Sequence, residues 1–273
     1  MNRAARWLPV AVVAALVLAT AFPFYWAVVS SLTPEARLFE SPSLLPGELV
    51  LDHYRALFDE RNFWVPIRNS LVVAGTTTLF CVTVGSLCAY ALARLRFRFR
   101  GLVLGFILAV TMFPQISIVS PLYLLLRAIG LINTYPGLIL PYMTFAMPLT
   151  VWLLVGFFRQ LPAELEEAAM VDGASRMQAF REVILPLALP GLATTGILTF
   201  VYSWNEFLFA LSFTLGPERQ TVPVAIALFR GQYQVPWGQI LAAAVVATAP
   251  VAALVLAFQR RIVQGLTAGA VKG

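Results

Sequence analysis

Charge is scarce in this chain. Of 273 residues only 12% are Asp, Glu, Lys or Arg, against roughly 25% in a soluble globular domain. There is a single lysine, Lys272, and a single histidine, His53. With one lysine in the tail there is no GxxxxGK[ST] loop, so the chain itself does not cradle nucleotide phosphates. No CxxC or HExxH pattern offers a metal site. The two cysteines, Cys81 and Cys88, lie in one apolar segment seven residues apart. On a helix that spacing puts them ~10 Å apart along the axis, too far to pair, so they read as small packed thiols.

What fills the sequence is apolar: 60% hydrophobic residues and a mean hydropathy of +0.82. The spacing predicts an all-α integral membrane protein with six spans, about 7–31, 70–93, 102–126, 135–158, 187–213 and 240–258. Each approaches the ~20 apolar residues that cross a bilayer. Prolines within them are tolerated where bundled helices re-satisfy the backbone, and Pro114, Pro121, Pro141 and Pro148 predict kinks in spans three and four. The first apolar run passes its Ala19-Thr20-Ala21 pattern and continues to Val29. It is longer than a signal core and reads as an uncleaved anchor. With neither an internal repeat nor a low-complexity linker, one integral domain over 1–273 is expected.

The formal charge of +6 follows topology and gives no reason to invoke nucleic acid, because the arginines gather in short connections between spans. Arg3 and Arg6, the RLRFRFR run from Arg94 to Arg100, and Arg260, Arg261 and Lys272 mark three cytoplasmic segments. The connection from Leu32 to Asn69 has six acids against four arginines and falls outside. Both termini are then cytoplasmic, and so is the connection 159–186 between spans four and five.

That connection is about 25 residues long, where two to eight suffice to join neighbouring helices. Leu161-Pro162 opens it, and Glu164, Glu166 and Glu167 crowd the positive end of a predicted helix. Gly173 offers a left-handed stop. Ser175 and Gln178 fit a capping box that starts a second helix with Met177, Phe180 and Ile184 on its apolar face. On the first helix Leu165, Ala168, Ala169 and Asp172 share a side, a shallow surface on which another protein can seat closely. The competing reading is an amphipathic connector on the lipid headgroups, which clustered carboxylates oppose at an anionic leaflet.

Glu167-Ala168-Ala169, three residues, Gly173, nine residues and Val183-Ile184-Leu185-Pro186 resemble the EAA loop of permease subunits of binding-protein-dependent ABC importers. The one departure is Val183, where that family usually has Ile. Asn69-Ser70, Trp204-Asn205-Glu206 and the ending Gly265 to Gly273 resemble the smaller permease subunit of maltose and trehalose importers. The resemblance implies a prokaryotic inner-membrane, multi-pass subunit that is no enzyme and holds no cofactor. Its implied partners are a second, larger permease, two ATPase subunits that bind ATP and Mg, and an extracytoplasmic substrate-binding protein. It also implies that the loop is a coupling helix docking on the ATPase through Glu164, Glu167, Ala168, Ala169, Met170, Asp172, Gly173 and Ala174. The substrate implied is an α-glucoside such as trehalose or maltose, with glycerol 3-phosphate or another sugar as the alternative.

Glu206 is the only acid inside an apolar span, and so a functional candidate. Two roles are open to it: a structural hydrogen bond with Asn205, or contact with the sugar path or the partner subunit. Tyr202 and Trp204, with Phe207 and Phe209, either stack on sugar or anchor at the interface, so Tyr202, Trp204, Asn205 and Glu206 are the pathway candidates. In the first outer connection His53, Tyr54 and Phe63 either receive the binding protein or are structural.

Overall fold

The computed structural model describes residues 3–40, 47–229 and 235–268, and among them every regular element is helical. In chain order these are α1 Arg3–Ser31, α2 Asp52–Arg55, α3 Trp64–Arg94, α4 Arg100–Ala109, α5 Gln115–Ala128, α6 Tyr135–Gln160 and α7 Glu164–Val171. There follow α8 Arg176–Ala179, α9 Leu185–Leu187, α10 Leu189–Trp204, α11 Leu208–Phe213, α12 Val222–Ala227 and α13 Trp237–Ala268. Residues 269–273 of the expected cytoplasmic tail, Lys272 among them, lie outside the described residues, as do the side chains of Arg3, Arg6, Arg260 and Arg261.

Among the described residues four helices are long and apolar enough to cross a membrane: Pro9–Ser31, Trp64–Arg94, Tyr135–Gln160 and Trp237–Gln259. The third and fifth expected spans are not continuous. Arg100–Met112 and Gln115–Ala128 meet at 92°. Pro114 has no N–H and crowds the residue before it, so Phe113 turns extended (φ −74°, ψ 125°) and a kink becomes a break. Arg176–Leu187 and Leu189–Trp204 meet at 75°. Here Pro190 removes the amide that would bond back to Pro186, and the helix restarts at Ala188, whose carbonyl accepts from Leu192 N at 2.8 Å. The fifth span also ends early, at Trp204, and residues 205–207 leave the helix before α11. By contrast α6 carries Pro141 and Pro148 without interruption.

The chain divides into two compact units, Met1–Trp64 with Ala225–Pro250, and Val65–Val224 with Val251–Gly273. In the first, α1 is almost bare, with Val29, Ser30 and Ser31 buried at its end. The Ser31 and Tyr54 hydroxyls lie 2.7 Å apart, and His53 Nε2 is 2.9 Å from the Thr33 carbonyl oxygen. Glu35 accepts from the amides of Trp237 and Gly238, both at 2.9 Å, so its carboxylate sits on the positive end of α13. His53 and Phe63 are buried, which gives them structural work in this unit.

In the second unit α6 is the central post. One core cluster joins Ala89, Tyr90 and Leu92 of α3 to Val151, Leu154, Val155 and Phe158 of α6 and to Phe180, Ile184 and Ala188. Another joins Val73, Leu138, Tyr142 and Phe145 to Phe209, Ala210 and Phe213 of α11. Cys81 is buried and Cys88 half-buried, both as free thiols. Thr150 and Thr199 share a buried hydroxyl contact of 2.8 Å between α6 and α10. At Gly191 the helices come closer still, since an added Cβ would stand 2.5 Å from the Phe157 ring. Gly191→Leu is therefore expected to destabilise the protein by about 1–3 kcal/mol through overpacking, measured as a lower midpoint in detergent unfolding; an unchanged midpoint would show that α10 does not seat on Phe157.

Candidate functional site

The loop after α6 is built from local rules. Leu161 turns extended at the end of α6, and α7 then carries Glu164, Glu166 and Glu167 in its first turn, where the dipole favours acids. At the far end Ala174 N bonds to Ala169 O at 3.0 Å and Gly173 N to Met170 O at 3.1 Å, the paired bonds of a Schellman stop. Gly173 adopts φ +94°, as that motif requires. The capping box then forms as the spacing predicts: Gln178 N donates to Ser175 Oγ at 3.3 Å, and Ser175 N to Gln178 Oε1 at 2.8 Å. Phe180 to Ile184 form a wide π turn that buries Phe180 and Ile184, while Met177, in the first turn, is 53% exposed instead of joining their apolar face.

The three carboxylates of α7 occupy different environments. Glu166 is only 5% exposed. The Tyr90 hydroxyl donates to its Oε1 at 2.6 Å, Arg94 Nε lies 3.7 Å from Oε2, and Arg176 Nη1 lies 3.8 Å from Oε1. Arg94 also donates through Nη2 to the Leu161 carbonyl at 2.7 Å. Tyr90 itself is wedged against Phe180 at 4.6 Å and edge-on to Phe158 at 6.4 Å. The buried Glu166 carboxylate and Arg94 together thus hold the loop's helix, its entry and its second helix onto the end of α3.

Glu164 and Glu167 face the other way and are exposed, together with Ala168, Val171, Asp172 and Gly173. Ala169, Met170 and Ala174 are half-buried. The exposed residues thus include Leu165, Ala168 and Asp172 of the expected 165, 168, 169 and 172 face, of which Ala169 alone is half-buried, and they extend around the helix to 164, 167 and 171. The inward stripe of Glu166, Ala169 and Met170 fixes the helix's rotation, and its leading residue is an acid, which apolar periodicity does not flag. Val171, 87% exposed, lies on the same surface and is not among the residues that the sequence singles out.

The pathway candidates occupy different environments. Trp204 is buried and stacked on Phe200 with centroids 5.7 Å apart, so its ring faces protein. Phe209 is in the core, and Tyr202 is half-buried with Gln115 Nε2 donating to its hydroxyl at 2.8 Å. Asn205 is exposed and donates to the Val201 carbonyl. Glu206 is structurally bonded, with a partner other than Asn205: its carboxylate accepts from Phe209 N at 2.8 Å and Ala210 N at 3.1 Å, capping the start of α11. A cavity of about 280 Å³ lies elsewhere, lined by Trp152, Gly156, Phe157, Arg159 and Leu198 among others.

At the other end of α3, the motif residues Asn69 and Ser70 are buried. Asn69 Nδ2 donates to the carbonyls of Glu218 and Gln220 at 3.0 and 2.9 Å, and its Oδ1 accepts from the Tyr135 hydroxyl at 2.7 Å. Ser70 Oγ accepts from Val222 N at 2.8 Å. Asn133 donates to the exposed Glu218 carboxylate, which holds that carboxyl below its ordinary range.

The pattern described as "Binding-protein-dependent transport system inner membrane component" matches residues 82–268, which include the whole loop and the 202–206 segment. The chain belongs to this family. Among its relatives, the trehalose transport system permease protein SugB of Mycobacterium tuberculosis is 48% identical over 100% of this chain and 99% of its own length. The trehalose/maltose transport system permease protein MalG of Thermococcus litoralis is 43% identical, over 92% of this chain and 91% of its own. The sulfoquinovosyl glycerol transport system permease protein SmoH of Agrobacterium fabrum is also 43% identical, over 92% of this chain and 89% of its own. A solved bacterial ABC transporter involved in alginate import shares the fold, with a TM-score of 0.79 at 24% identity over 95% of this chain and 98% of that one. In this permease family member the loop stands out because its exposed stripe is acidic and small while its opposite face is locked by Glu166.

Removing the Ser175 cap should loosen that lock at one place. Ser175→Ala is expected to cost about 1 kcal/mol of local stability, read as faster amide exchange over residues 175–184 with α6 unaffected; unchanged exchange there would mean the box contributes nothing.

Proposed function

We propose that this chain is the smaller of two permease subunits in an ATP-driven importer of an α-glucoside, trehalose or maltose. The relatives that carry those substrate names are 48% and 43% identical to it over nearly its whole length, and this is the observation on which the substrate rests. It is a non-catalytic half of the translocation path, with six crossings once each bent pair is taken as one. Both termini and the α7 loop face the cytoplasm of a prokaryotic cell, because four arginines without an acid, Arg94 to Arg100, sit on the loop's side of the membrane. Its partners are a larger permease, two ATPase subunits that bind ATP and Mg, and an extracytoplasmic binding protein.

In this reading α7 is the coupling helix. Glu164 and Glu167 meet basic groups of the ATPase, Ala168 permits close seating, and Val171 supplies an apolar contact that water now covers. Ala169, Met170, Asp172, Gly173 and Ala174 complete the docking turn. Closure of the ATPase around ATP moves this rigid loop, and the spans reorient to expose the sugar site outward. Tyr202, Asn205 and Glu206 contribute to the path by placing the 205–207 break, and Trp204 by packing behind it.

Reconstitution of the assembled complex with an uptake panel of trehalose, maltose and glycerol 3-phosphate tests the substrate, and uptake of glycerol 3-phosphate alone would overturn it. For the docking face, Ala168→Trp and Gly173→Pro should lower sugar uptake per ATP hydrolysed at least tenfold while the subunit still reaches the membrane. Normal stimulated uptake in both variants would refute the docking role. Glu206→Gln retains an oxygen acceptor for the α11 amides, and the apparent affinity for sugar should stay within twofold of the unmodified complex; a larger shift would put Glu206 in contact with sugar.

A further inference from the structure

We propose that α3 carries the movement of the α7 loop to the opposite membrane surface, with Glu166 and Asn69 as the positioning residues at its two ends. At one end Tyr90 and Arg94 hold the Glu166 carboxylate, and Arg94 also holds the loop's entry at Leu161. At the other, Asn69 and Ser70 take three backbone groups of the connection after α11, at Glu218, Gln220 and Val222. Asn69 and Tyr90 are separated by 21 positions, or ~32 Å of helix, about the thickness of a bilayer core. Both ties are buried, so a partner lost at either end is not replaced by water.

The stiffness of α3 sets it apart within its unit. α4 and α5 are bent by 92° against each other, and the helix entering α10 is bent by 75°. α6 runs directly into the loop but carries Pro141 and Pro148, each of which removes an internal hydrogen bond. α3 has 31 residues and its single proline, Pro66, lies in the first turn. It is also pinned sideways on α6, where Gly85 allows Thr150 Cγ2 to sit 3.1 Å from the position a Cβ would take. A helix tied at both ends and unbroken between them turns displacement of one connection into displacement of the other. The two motifs that sequence comparison leaves unrelated, the loop and Asn69-Ser70, become ends of one device.

The proposal rests on the reading of α7 as the ATPase docking element, and its test separates the two. In the assembled complex, with Cys81→Ala and Cys88→Ala, single spin labels are placed at Met177→Cys on the loop, outside its docking face, and at Pro217→Cys on the far connection, and their ATP-dependent mobility change is measured in proteoliposomes. Both labels should respond. With Glu166→Gln or Tyr90→Phe the label at 177 should still respond while the response at 217 falls at least fivefold, and Asn69→Ala should do the same. The double variant Glu166→Gln with Asn69→Ala should be no worse than either single, as expected of two residues in series. If Glu166→Gln does not assemble, Tyr90→Phe, which removes one hydroxyl, decides. A response at 217 within twofold of the unmodified complex, or additive losses in the double variant, overturns the proposal and leaves the docking reading standing. A silent label at 177 in the unmodified complex overturns the docking reading and the proposal with it.

Discussion

Inside a bilayer no water stands ready to accept or donate a hydrogen bond, so every backbone group freed by a break in a helix must find a partner within the protein. Much of this fold follows from that demand. The span that ends at Trp204 leaves its helix for three residues, and the Glu206 carboxylate accepts the amides that open α11. The connection after α11 is secured by Asn69 and Ser70. Hydroxyls along the spans bond to carbonyls one turn back, as Thr150 does to Ala146 and Thr199 to Thr195. Buried polar residues in this hydrophobic chain therefore either secure irregular backbone or bond back to their own helix.

The same demand sorts the carboxylates of the loop. Glu166 points into the bundle, where an ionised group without partners is costly, and it is surrounded by a hydroxyl and two guanidinium groups. Glu164 and Glu167 point to solvent and need no internal partner, which leaves them free to meet another chain. Three neighbouring residues of one type thus divide into one buried anchor and two solvent-facing acids.

Much of the loop was legible in the sequence because its punctuation is local. Gly173 stops α7, and the Ser175 and Gln178 box starts the next helix, both through bonds made within a few residues. The ranges of the unbroken spans were legible for a similar reason, since 135–158 and Tyr135–Gln160 differ only at one end. What was not legible depends on distant residues. The rotation of α7 is set by Tyr90 and Arg94, more than 70 positions away in sequence, so the burial of Glu166 and the half-burial of Ala169 could not be read from local spacing. That Glu206 accepts the amides of α11 was likewise not legible, because that bond depends on where the helix ending at Trp204 breaks.

By itself, the sequence determined that this is a multi-span membrane subunit, which stretches are long and apolar, and where a polar loop with helix, stop and cap must lie, because hydropathy and capping act over a few turns. Only the tertiary structure decided which prolines break a span, that Glu166 faces inward while its neighbours face out, and that Asn69 and Glu166 lie at opposite ends of one helix. Those outcomes come from packing α3, α6 and α10 against one another, and a buried carboxylate settles its direction only when the groups that neutralise it have been brought beside it.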